Sequence, residues 1–238
     1  MIKAILFDLD GTLLQMDQDM FVNKYFTSLI TFLSKRGYEP KKLTRAMWVS
    51  IESMIKNTGI DTNEKVFWST FSREYGVDMT KDIPLFEEFY NTEFDSVSVV
   101  AEPTPIVCEL IRELKNKGYR LILATNPVFP YIATKKRALW AGIEVSDFEL
   151  VTSYENSYYS KPNQDYYRYI LSTASLSADE CLMVGNDVSD DMVAGAIGMK
   201  VFLLTPKLIN KDNIDINNYP NGDFSSLIGY ISELSNEK

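Results

Sequence analysis

Four short segments of this 238-residue chain carry residue types that can act on a phosphate group. They are Asp8-Leu9-Asp10-Gly11-Thr12, Thr125-Asn126, Lys161-Pro162, and Gly185-Asn186-Asp187-Val188-Ser189-Asp190-Asp191. Together they offer several carboxylates, hydroxyls and one lysine. Clustered carboxylates repel one another unless a cation holds them, and an oxygen-only set of this kind suits Mg²⁺. Mg²⁺ keeps water and substrate phosphate oxygens among its ligands, while Thr and Lys donate to the phosphate oxygens that remain. Phosphoryl transfer is the chemistry this set suggests. The chain contains no histidine. That removes Ser-His-Asp and Cys-His catalysis, His-ligated zinc, His-held haem and imidazole-based pH switching.

The segments need a scaffold that gathers them. Short apolar runs at 2–7, 120–124, 148–152, 181–184 and 200–204 have the length and two-sided apolarity of strands buried in a parallel sheet. Helical periodicity separates the later runs. Ile106, Val107, Leu110, Ile111 and Leu114 repeat between Pro105 and Gly118. Tyr166, Tyr167, Ile170, Leu171 and Ala174 repeat after Pro162, and Met192, Val193, Ala196 and Ile197 before Gly198. Alternating strand and helix predicts right-handed βαβ units and an open, doubly wound, Rossmann-like α/β sheet. Such sheets bind ligands beyond the carboxyl ends of their strands, where three of the four segments fall, with Lys161 in the loop before a helix. Residues 16–99 break the rhythm and read as an inserted all-helical domain. Its four helices run over 19–36, 40–56, 62–75 and 81–94, and Asp61 with Glu64 offers a cap for the third. Residues 1–15 and 100–238 form the core.

Asp-Leu-Asp-Gly-Thr-Leu at 8–13, followed in order by Thr125, Lys161-Pro162 and the acidic loop after Val184, resembles the haloacid dehalogenase superfamily. The resemblance spans essentially the whole chain, because the helical insert lies where that family places its first-type cap domain. It implies that Asp8 is the nucleophile that becomes an aspartyl-phosphate, and Asp10 the acid/base. It implies that Thr125 and Lys161 bind the transferring phosphoryl, with Leu9, Asp10 and Asn126 also around the phosphate. Mg²⁺ would be held by Asp8, the Asp10 carbonyl and the loop at 186–191. In that loop the usual pattern puts the metal-binding Asp directly after the glycine, whereas Gly185 is followed by Asn186 and only then Asp187. Alignment without a gap pairs Asn186 with Asp190; a one-residue slip pairs Asp187 with Asp191. Chemistry favours Asp187, since Mg²⁺ gains more from a carboxylate than from an amide, with Asn186 and Asp191 as further candidates and Asn186 free to bond toward Lys161.

The resemblance implies a phosphatase acting on a small phosphorylated metabolite. A phosphomutase of the β-phosphoglucomutase type shares the same core residues. Dehalogenation and phosphonate hydrolysis fit less well, because those branches lack the acid at Asp10. A receiver-like phospho-switch also gathers acids, a Thr and a Lys, but is shorter and has no insert. A calcium loop is excluded, because Leu13 and Asp19 stand where an EF-hand needs Gly and Glu. For Asp190 and Asp191, capping of a following helix is the plain alternative. Trp48, Phe67, Trp68 and Phe71 read as helix–helix core.

With 24 Lys and Arg against 33 Asp and Glu, the net charge is −9, which speaks against a nucleic-acid partner. The 45% hydrophobic content is that of an ordinary globular protein, and no apolar run approaches a membrane span. Met1-Ile2-Lys3 leads straight into Ala4–Phe7, too short an apolar run for a signal peptide. Cys108 and Cys181 form no paired motif and are expected as buried thiols. The expectation is a cytoplasmic monomer or weak homo-oligomer.

Overall fold

The structure, a computed structural model, describes residues 1–102 and 104–236. In chain order, β1 (Ala4–Phe7) and β2 (Gln15–Met16) precede the helices α1 (Gln18–Ser34), α2 (Pro40–Ile55), α3 (Asn63–Tyr75) and α4 (Ile83–Asn91). Then come β3 (Ala101–Glu102), α5 (Pro105–Asn116), β4 (Arg120–Leu123), α6 (Tyr131–Trp140), β5 (Leu150–Val151) and α7 (Gln164–Ala174). β6 (Cys181–Gly185), β7 (Lys200–Leu204), β8 (Asn221–Gly222) and α8 (Phe224–Asn236) complete it. Six strands form one parallel sheet in the order β5-β4-β1-β6-β7-β8.

Alternation along the central strands divides the core. Ile5, Phe7, Leu121, Leu123, Leu182 and Val184 pack on one face with α5, α6 and α8, in a cluster that continues into the helical insert. Ala4, Leu6, Ile122, Cys181 and Met183 pack on the other with α7 and the turn at 192–197. β1 and β6 are buried along their whole length, so both carry unbroken apolar sequence. Register sets Phe7 beside both Leu123 and Val184, so the chain leaves all three strands at one level.

The insert leaves and re-enters the sheet side by side, because β2 pairs antiparallel with β3, Gln15 with Glu102 and Met16 with Ala101. Its third helix is stapled to the core. Asn63, fully buried, donates its amide to the Pro127 carbonyl and to the Ser160 hydroxyl, each at 3.0 Å.

Several elements differ from the sequence reading. The cap of α3 is Thr62, whose hydroxyl accepts from the Lys65 N–H, and not Asp61. The fourth helix stops at Asn91 and continues as tighter 3₁₀ turns over Glu93–Val100. There Thr92, Ser96 and Ser98 bond their hydroxyls back to Glu88, Glu93 and Asp95 carbonyls, competing with regular helix. The segment Met192–Ile197 is also 3₁₀, ended after six residues by Gly198. Cys108 is exposed and only Cys181 is buried, because Cys108 lies on the outward face of α5. Trp48 is half exposed, its ring stacked on Phe26. Among the described residues, no helix is long and apolar enough to cross a membrane.

Candidate active site

Asp8 follows the last residue of β1, and its N–H is held by the Val184 carbonyl at 2.9 Å. Its side chain is nearly buried, and Oδ1 accepts from Lys161 Nζ at 2.8 Å. The same ammonium donates to Asp191 Oδ1 at 2.6 Å. Burial works to lower the Lys161 pKa, but Asp191 and then Asp8 overcome it and hold the ammonium well above its ordinary value. Lys161 is therefore a fixed positive charge against the Asp8 carboxylate.

Asp10 stands two residues on, after the chain has bent out of the strand. Its Oδ2 is paired with Arg137 Nη1, while Oδ1 is buried without a hydrogen-bond partner. Its pKa is pushed up to about 6, by burial first, with Arg137 opposing and Asp8 adding. Gly11 then turns at φ +83°, where a side chain would strike the Asn186 amide at 2.3 Å. The Leu9 side chain is fully buried, so only its backbone can face a ligand.

Thr125 lies just beyond β4 and is buried. Its carbonyl accepts from Tyr166 Oη at 2.8 Å and Thr152 Oγ1 at 2.7 Å, which fixes the backbone there. Asn126 donates to Asp190 Oδ2 at 3.2 Å, and its Oδ1 is buried without a partner. Burial raises Asp190 to about 6, with Lys161 opposing and the charges of Asp187 and Asp8 adding.

The fourth segment sorts into distinct roles. Asn186 accepts from the Thr12 hydroxyl at 2.9 Å and donates to the Lys207 carbonyl at 2.6 Å, so its amide bonds there and not toward Lys161. Asp191 spends one oxygen on Lys161 and the other on the Asp187 N–H at 3.0 Å. Gly185 permits that approach, since a Cβ there would sit 2.0 Å from Asp191 Oδ2. Asp187 Oδ1 accepts from the Ser189 and Asp190 N–H groups at 2.8 and 3.0 Å, which fixes the carboxylate at the loop's edge. The plain capping alternative thus falls to Asp187, not to Asp190 or Asp191.

Among the described residues no three His, Cys, Asp or Glu side chains are grouped closely enough to hold a metal by themselves. A cation here would draw on fewer side chains, with carbonyl and water oxygens completing its shell, which is how Mg²⁺ is commonly bound. The repulsion that Asp187 and Asp8 exert on Asp190 fits such a cation, as does the unpartnered acceptor oxygen of Asn126.

Sequence reasoning missed Arg137. It sits on α6, whose buried face is Ala133, Thr134, Arg137 and Ala138. That face has too little apolar character to announce a helix, and a lone buried arginine has no pattern to find it by. Between the insert and the loop after β4 lies a cavity of about 360 Å³, walled by Tyr25, Phe67, Trp68, Phe86 and Phe129 among others and by no residue of the four segments. Phe67 and Trp68 therefore face a void as well as the core. Glu64, Glu87 and Glu155 also line it, and burial with the charges of Glu155 and Glu87 raises the Glu64 pKa.

A parallel sheet with an acid after its first strand, a charged lysine against that acid and a helical insert between its first two core segments defines a class of Rossmann-like hydrolases. The chain belongs to the haloacid dehalogenase-like hydrolases, whose family model matches residues 2–198. It is 25% identical over 198 residues to Pyrophosphatase PpaX of Bacillus cereus, covering 82% of this chain and 78% of that one. It is likewise 25% identical over 241 residues to the Glyceraldehyde 3-phosphate phosphatase of Methanothermobacter thermautotrophicus, covering 98% of both. A solved structure of 2-Haloacid Dehalogenase from Pseudomonas syringae superposes with a TM-score of 0.64 at 19% identity, covering 98% and 100% of the two chains. That likeness is one of fold.

Proposed function

We propose that this chain is a Mg²⁺-dependent phosphatase that hydrolyses a small phosphomonoester through an aspartyl-phosphate on Asp8, with its helical insert as a cap. The observation that carries this reading is the Asp8–Lys161–Asp191 arrangement, a carboxylate at a strand end held against a permanently charged ammonium. A carboxylate attacks a phosphate dianion only if the repulsion between them is cancelled. Lys161 supplies one positive charge at that point, and the Thr125 hydroxyl would donate to an equatorial oxygen. Bound Mg²⁺ would neutralise the remaining charge on the transferring group. Asp8 and Asp187, with the Asp10 carbonyl, would hold it; Asp191 is occupied by Lys161 and Asn186 by Thr12.

Asp10 then acts twice. In the first step it gives a proton to the departing oxygen as the Asp8–phosphorus bond forms. In the second its carboxylate takes a proton from water attacking phosphorus, and Asp8 is released with inorganic phosphate. A carboxyl at about pKa 6 is suited to both duties near neutral pH. The cavity between the insert and the loop after β4 would receive the leaving group. Phosphate release from a panel of phosphorylated metabolites with and without Mg²⁺ tests the reading. Multiple turnovers that depend on Mg²⁺ are expected, and a single stable phosphorylation of Asp8 would overturn it.

A further inference from the structure

We propose that Arg137 is a positioning residue for the Asp10 carboxylate, holding one of its oxygens so that the other is free to move protons. The inference rests on the phosphatase reading and adds to it a residue from outside the four segments.

Arg137 is fully buried and is among the largest side chains in the protein to be so. A buried guanidinium is tolerated only with its charge and donors satisfied. Here Nε donates to the Ala133 carbonyl at 3.3 Å and Nη2 to the Thr134 hydroxyl at 3.2 Å, both on its own helix. Nη1 goes to Asp10 Oδ2, and Asp10 is its carboxylate partner among the described ion pairs. The guanidinium carbon lies 4.4 Å from the centre of the Phe129 ring and 5.9 Å from that of Phe21 on α1 of the insert. The guanidinium therefore has a fixed plane, set by α6, the loop after β4 and the insert together.

That plane decides what Asp10 can do. Its Oδ2 is taken and its Oδ1 is buried with no partner, so one oxygen is an anchor and the other a working atom. The other cation whose charge Asp10 feels is Lys161. Lys161 is shared by Asp8 and Asp191, and a third carboxylate would draw it off the nucleophile. Arg137 keeps the two duties apart, Lys161 serving Asp8 and Arg137 serving Asp10. Because Phe21 packs against the same guanidinium, the position of the insert bears on the anchor.

Asp10 Oδ1 carries the proton that goes to the leaving oxygen as the substrate P–O bond breaks. The same Oδ1 accepts a proton from water as its oxygen bonds to phosphorus, the Asp8–phosphorus bond breaks, and phosphate departs. A misplaced Oδ1 slows the second step even when an activated leaving group needs no proton in the first.

The test is a mutant cycle. Arg137→Met and Arg137→Lys are made alone and on Asp10→Asn, and p-nitrophenyl phosphate turnover is followed with Mg²⁺, including the pre-steady-state phase. Arg137→Met should lower kcat about 100-fold, the scale of a general-base contribution. KM should stay within about twofold, a one-equivalent burst of nitrophenol should appear, and Arg137→Lys should recover about tenfold of the loss, consistent with action through one carboxylate. On Asp10→Asn the Arg137 substitutions should change kcat by less than about threefold. If they cost as much there as on the wild type, Arg137 is only a packing residue and the proposal is wrong. Should Arg137→Met melt below the assay temperature, the Arg137→Lys arm decides by the same criterion. Absence of wild-type turnover, or full turnover by Asp8→Asn, would instead remove the phosphatase reading and this proposal with it.

Discussion

Thr12 donates its hydroxyl to the side-chain oxygen of Asn186 at 2.9 Å, joining the loop after β1 to the loop after β6. The amide's other end is held by the Lys207 carbonyl, so Asn186 braces the two loops. In the proposed mechanism Asp187 is then the member of this pair that would bind the cation. Asp187→Ala should raise the Mg²⁺ concentration for half-maximal activity at least about tenfold, from the loss of an anionic ligand. Asn186→Ala should leave that concentration near the wild-type value and lower stability by about 1–3 kcal/mol, the penalty for buried groups left unpaired. Mg²⁺ titrations and thermal melts of both variants separate the roles; a worse metal defect in Asn186→Ala reverses the assignment.

Asp8→Asn keeps the shape of the side chain but is a poor nucleophile. Turnover should fall by more than about 10³-fold with the melting temperature little changed. Retention of a tenth of wild-type turnover is incompatible with an aspartyl-phosphate.

Asp10→Asn should divide the two steps. Loss of the first step depends on the leaving group, so attack on p-nitrophenyl phosphate survives while attack on an alkyl phosphate does not. Breakdown of the intermediate needs the base in every case. Quench-flow measurements should show phosphoenzyme accumulating with the activated substrate, and full steady-state turnover by this variant would deny Asp10 the base role.

Proton binding should oppose cation binding in a predictable window. Asp10 and Asp190 stand at about 6 against an ordinary 3.8, burial being the largest cause for each. An acid whose folded pKa is raised binds its proton more tightly when folded. Its stabilising share is complete below the unfolded value and is lost as pH rises from about 4 through about 6. The charged acids are then the form that a cation relieves. Mg²⁺ should raise the melting temperature more at pH 7.5 than at pH 5, and Asp187→Ala should abolish the difference. Equal shifts at both pH values would place the cation elsewhere.

The cavity's charge should select among substrates. None of Glu64, Glu87 and Glu155 takes part in an ion pair among the described residues, and all three line one aromatic-walled space. A leaving group bearing a carboxylate is repelled there, whereas an ammonium group on an aromatic face is attracted. Phosphocholine or phosphoethanolamine should therefore exceed phosphoglycolate in kcat/KM by about tenfold or more. Glu64→Gln should narrow the gap, and a preference for phosphoglycolate would show that the cavity does not hold the leaving group.

The sheet was readable because buried parallel strands are unbroken apolar runs, as Ala4–Phe7 and Cys181–Gly185 are. The positions of Asp8 and Lys161 followed from a motif at a strand end and a Lys-Pro before a helix. What stayed hidden had no periodicity to betray it. The β2–β3 pair is two residues a side, and α6 hides behind alanine, threonine and arginine. The division of labour between Asn186, Asp187 and Asp191 depends on which way each side chain turns, and adjacent residues in a loop carry no such label. Asp61 lost the α3 cap to Thr62 by a single position, a distinction that spacing alone cannot make.

The antiparallel contact of Gln15–Met16 with Ala101–Glu102 has a bearing on ancestry as well as on movement. Exit and return lie next to one another, so the strands of the sheet never register how long the excursion between them is. Such a graft point tolerates exchange of everything it encloses, since adjacent ends impose no strain on the host. If the insert acts as the proposed cap, substrate choice could thus be rewritten by replacing one contiguous stretch of gene, while Asp8, Thr125, Lys161 and Asp187 lie outside it. The tie that resists such exchange is Asn63, which any replacement must either reproduce or leave Pro127 and Ser160 to find other partners.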